Sequence, residues 1–83
     1  MKNTATIIFI MQRRNQSVDL DVPLDISAND LILALNEAYD LQIDTSDINN
    51  CFLKAEHPIV LLRGSKTLAE YGVRNGTVIR FTE

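Results

Sequence analysis

Residues 66–83 read "KTLAEYGVRNGTVIRFTE", and this stretch decides the fold. Thr67 to Val73 reads as a short helical turn. Arg74 to Thr77 forms a tight turn around Asn75-Gly76, because Asn and Gly tolerate left-handed backbone. Val78 to Phe81 is then a last strand, with β-branched residues at Val78 and Ile79. Working back, "CFLKA" (51–55) and "IVLL" (59–62) read as two further strands around a turn at Glu56-His57-Pro58, the second ended by Gly64.

Upstream, polar "QIDTSDINN", Gln42 to Asn50, predicts a loop with a helical turn beginning at Ser46. Ser27 is placed to cap a helix whose first turn carries Asn29 and Asp30, where carboxylates favour the helix dipole. That helix continues through "LILALNEAYDL", with Leu31, Leu35, Ala38 and Leu41 at the spacing that faces a sheet. At the front, Thr4 to Met11 contains the apolar run "IIFIM" and reads as a strand. "RRNQ", Arg13 to Gln16, suits a hairpin turn. In "SVDLDVP", Val18, Leu20 and Val22 alternate with Asp19 and Asp21 until Pro23 ends the strand.

The order strand, strand, helix, strand, strand, helical turn, strand predicts a two-layer α+β domain over residues 1–83. The first hairpin is antiparallel. The last strand is expected to pair in parallel with the first, at the centre of a mixed four- or five-stranded sheet. The second strand and "IVLL" fall at its edges.

At this order and spacing the chain resembles the ubiquitin-like β-grasp fold. "TLAEYGV" is similar to the "TLSDYNI" segment of ubiquitin, at the same distance from the last strand. Within that fold the chain looks closest to the YukD/EsaB family, through "VDLDVP" near the front and "YGVRNGTVIRF" near the end. The resemblance implies a cytosolic accessory protein of a bacterial type VII system that exports WXG-type proteins. It also implies docking on a protein partner, the secretion ATPase or a membrane component. Ubiquitin is conjugated through a flexible Gly-Gly tail, whereas here only Thr82 and Glu83 follow the last strand. The reading is therefore a protein that is not conjugated. The alternatives are a binding or homodimerisation module unrelated to secretion, and a sulfur carrier or modifier acting through the C-terminus.

Composition agrees with a folded, non-nucleic-acid-binding domain: 46% of the residues are hydrophobic and the net charge is −3. The Lys and Arg residues are scattered, without the cluster that phosphate contacts need. The longest apolar run is too short to span a bilayer, and no signal-peptide pattern opens the chain. A cytoplasmic location with a reduced Cys51 follows as the expectation. Cys51 and His57 are the only residues for a thiol–imidazole pair, and they flank a strand and its turn. Asp40, Asp44 and Asp47 lack the spacing of a calcium loop, and the glycines are isolated turn residues. No cofactor, metal site or catalytic residue is expected, and the protein reads as a non-enzyme.

Function must then come from a surface. A single helix covers one face of the sheet, so half of "IIFIM" looks away from it. The reading places Ile8 and Ile10 inward with Val18, Leu20, Val22, Leu31, Leu35, Leu53, Leu62, Ile79 and Phe81. Ile7, Phe9 and Met11 then point outward, joined by Phe52, Val78 and Arg80 as a protein-binding face. A slip of one residue exchanges the two sets. The uncharged "IVLL" edge is the expected site of any dimerisation.

Overall fold

A computed structural model describes residues 3–82. Five strands form one mixed sheet: β1 (Thr4–Met11), β2 (Gln16–Pro23), β3 (Leu53–Glu56), β4 (Val60–Leu62) and β5 (Val78–Phe81). The helix α1 (Ala28–Tyr39) packs on one face. The strand order is β2-β1-β5-β3-β4, so β5 lies at the centre. It pairs in parallel with β1, opposing Ile8 to Val78 and Ile10 to Arg80, and antiparallel with β3. The element order, the central parallel pair and the two edges are those expected from the sequence.

The β1–β2 hairpin turns through a 3-10 turn at Gln12–Arg14, with Asn15 left-handed at φ 52°. Its length fixes the register: Met11 stands opposite Gln16, Phe9 opposite Val18, Ile7 opposite Leu20 and Ala5 opposite Val22. Directly opposed residues point to the same face. Because Val18, Leu20 and Val22 face the helix, Phe9, Ile7 and Ala5 must face it too. The inward and outward sets expected for β1 are therefore exchanged. Ile7 and Phe9 are fully buried and Met11 is 2% exposed, while Ile8 and Ile10 lie on the far face.

The core then runs from β1 through Val22, Leu53, Leu62 and Ile79 to the helix, with Val18, Leu20 and Phe81 partly buried against it. The helix contributes Ala28, Leu31, Ile32 and Leu35. Ala38 is exposed, contrary to expectation, and the last turn is anchored instead by Tyr39, whose ring lies 5.7 Å from that of Phe9. Ser27 caps the helix as expected, its Oγ accepting from the Asp30 N–H. The other end is closed from the hairpin. Arg14 donates to the carbonyls of Tyr39 and Asp40, placing a cation at the negative end of the helix dipole.

Residues 67–73 form consecutive turns rather than a regular helix. Thr67 and Glu70 hold them reciprocally: the Glu70 N–H donates to Thr67 Oγ1, and the Thr67 N–H donates to Glu70 Oε1. The Leu68 and Ala69 N–H groups bond back to the carbonyls of Ile26 and Leu24, so Leu68 and Val73 are buried under the sheet. Tyr71 reaches the end of β4, where its hydroxyl accepts from the Arg63 N–H and donates to the Arg63 carbonyl.

Candidate functional site: the outer face of the sheet

The helix and the turns at 67–73 occupy one side of the sheet, and the other side is uncovered among the described residues. Its centre is a strip of half-buried apolar side chains, Ile8 and Ile10 on β1 and Val78 on β5. On the β2 side the strip meets a polar margin, with Asp19 opposite Ile8 and Ser17 opposite Ile10. On the other side stand Arg80, Lys54 and Glu56, then Leu61, which is 46% exposed on the edge strand, and Ile59, which is 90% exposed. The face thus grades from acidic, through apolar, to a basic and apolar flank.

Of the residues expected to form this face, Val78 and Arg80 do so, and Phe52, about half exposed, borders a cleft with Lys54 and Arg80. Ile7, Phe9 and Met11 do not, for the reason given by the hairpin register. Their places are taken by Ile8 and Ile10. Thr4 and Thr6 carried the missing signal: they share the parity of Ile8 and Ile10 and are exposed. Lys54 and Leu61 were missed as contributors because their facing depends on the β3–β4 register.

Arg80 Nε donates to Glu56 Oε1 at 2.5 Å across β5 and β3. This bond, helped by the positive charge of Arg80, holds the Glu56 carboxyl below its ordinary value of 4.5. Glu70 is lowered likewise by its bonds to Thr67, and Asp44 by its bonds to Ser46. A carboxyl whose folded pKa is depressed stabilises the fold above its ordinary pKa and loses that contribution as pH falls through the folded value. Urea midpoints are therefore expected to hold from pH 7 to about 5 and to fall below that. Glu56→Gln should make the fall shallower. A midpoint indifferent to acid in the native protein would contradict these bonds.

Cys51 and His57 lie at opposite ends of β3, so they form no pair. Cys51 is half-buried and its thiol donates to the Asp44 and Asp47 carbonyls. His57 is exposed in the β3–β4 turn. Among the described residues no three His, Cys, Asp or Glu side chains converge as metal ligands, and no helix is long and apolar enough to cross a membrane. Glu83, through which tail chemistry would act, lies outside the described residues. Phe81, two positions before it, is held in β5.

Solved structures share this architecture. The ubiquitin-like domain of tubulin-binding cofactor B superposes with a TM-score of 0.71 at 19% identity, covering 96% of this chain and 89% of that one. The C-terminal ubiquitin-like domain of mouse tubulin-specific chaperone e gives 0.68 at 14% identity, covering 99% and 90%. A designed protein based on ubiquitin gives 0.68 at 16% identity, covering 96% and 88%. At these identities the likeness establishes a ubiquitin-like fold. A search of curated proteins finds no significant match. The sequence model described as "WXG100 protein secretion system (Wss), protein YukD" matches residues 6–80, from the first strand to the last. The chain belongs to the YukD family of WXG100 secretion-system proteins.

Proposed function

We propose that this domain is a non-catalytic adaptor of a WXG100 secretion system, binding a protein component of the apparatus through the outer face of its sheet. The observation that carries the reading is the uncovered strip Ile8–Val78–Ile10, apolar at its centre and charged on both margins. An apolar centre with a polar rim is the anatomy of a protein interface. Family membership supplies the context, and the secretion ATPase or a membrane component is the partner the reading favours. In this reading the domain acts by contact in the cytoplasm, through a face whose middle row is fixed because β5 is paired along both of its edges.

Affinity-tagged protein, expressed in a bacterium that carries the system, is expected to recover one of its components. Ile8→Asp should lower that recovery by about tenfold, a loss typical of a charge placed in an interface centre. Its far-UV circular dichroism should remain that of the wild type. Ile10→Arg provides a second, independent lesion on the same strip. Equal recovery with both folded variants, or no component recovered by the wild type, contradicts the proposal.

A further inference from the structure

We infer that the free edge of β4 receives an extended segment of another protein as an added strand, and that this segment carries a carboxylate to Lys54. The inference rests on the adaptor reading and deepens it by naming the chemistry of one binding element.

The sheet has two edges, β2 and β4. β2 is defended, because Asp19 and Asp21 project from it and Pro23 offers no N–H. β4 has no such protection. Ile59, Val60 and Leu61 are uncharged, and two of the three expose large apolar side chains. Tyr71 closes the far end of this edge by engaging both backbone groups of Arg63, so the open stretch lies before it.

Beside this stretch lies a groove of about 530 Å³, bordered by Ile59, Leu61, Lys54, Glu56 and Arg80. In the ladder Leu61 stands opposite Lys54, and Lys54 opposite Arg80. Strands lie about 5 Å apart, so a strand added beyond β4 would hold its outward side chains about 10 Å from Lys54 across Leu61. The two long side chains can close that gap. Arg80 is already held by Glu56, whereas Lys54 makes no ion pair among the described residues. The position asks for a carboxylate, and Leu61 and Ile59 ask for apolar neighbours.

The backbone identifies an extended occupant. A helix satisfies its own N–H and C=O groups and would leave those of the β4 edge unmet, whereas a strand pairs with them. A second copy fits less well, because an edge of three residues spans about 10 Å. A stable dimer interface buries about 1,200 Å² or more.

Selection of short peptides from a displayed random library against the whole protein tests this. Enriched sequences should alternate apolar residues with Asp or Glu. Binding of a selected peptide should weaken about tenfold in Lys54→Glu, which sets a like charge against the peptide carboxylate. It should also slow hydrogen exchange at Ile59–Leu61 while leaving β2 unchanged. The inference is overturned if no peptide is enriched, if binding survives Lys54→Glu, or if the protected amides lie elsewhere. Protection of β4 that rises with protein concentration alone would assign the edge to a second copy, and overturns it too. If Ile8→Asp abolishes recovery of the secretion component while β4 stays unengaged, the adaptor reading stands and strand addition fails.

Discussion

Phe9→Asp is expected to unfold the domain. Phe9 is fully buried in the core cluster that includes Ile7, Leu53 and Ile79, with its ring against that of Tyr39. Removing such a ring alone costs about 3–5 kcal/mol. A carboxylate in its place adds a desolvation penalty of several kcal/mol. Together these reach the whole stability of a small domain, about 5–15 kcal/mol. Far-UV circular dichroism should show a disordered chain for Phe9→Asp and a native spectrum for Ile8→Asp, one residue away. The opposite result would move Phe9 to the binding face and reverse the register of β1.

Thr77→Val is expected to produce the next largest loss. Thr77 is the buried polar residue immediately before β5. Its hydroxyl donates to the His57 carbonyl at 2.7 Å and accepts from the Arg74 N–H at 3.0 Å, while its own carbonyl accepts from the Ile8 N–H. One side chain thus ties the β3–β4 turn and the turn before β5 at the point where β5 enters beside β1. Val fills the same volume without the hydroxyl, leaving two backbone groups unpaired at about 1–3 kcal/mol each. Thr77→Ser keeps both bonds and removes one methyl, worth about 1 kcal/mol. Urea denaturation should therefore rank wild type, Ser and Val in falling order. Equal stability of Val and wild type would show that the hydroxyl carries no structural role.

Much of the fold was legible because several local signals agreed. Alternation in "SVDLDVP", the Ser27 cap and Asn15 at the hairpin each specify one element, and the structure contains all three. The facing of β1 was not legible from "IIFIM" itself, since a continuous apolar run has no period. Two signals outside the run settle it: the Thr4 and Thr6 parity, and the four residues 12–15 that set the hairpin register. The candidate site inherits that ambiguity, because its centre is whichever half of the run the helix leaves uncovered. The facing of Val78 and Arg80 is legible, since "VIRF" is short and Ile79 marks its inner face. Arg14 at the helix end and Tyr71 at Arg63 join residues far apart in sequence, and no local pattern announces such contacts.

The account depends on β5 being the fixed central strand, which gives the outer face its middle row. Hydrogen exchange of the Ile79, Arg80 and Phe81 amides in the native protein measures this directly. The architecture predicts that these amides exchange among the slowest in the chain, at rates set by global unfolding. Exchange as fast as that of a free peptide at these three positions would show β5 detached from β1 and β3, and would contradict the account.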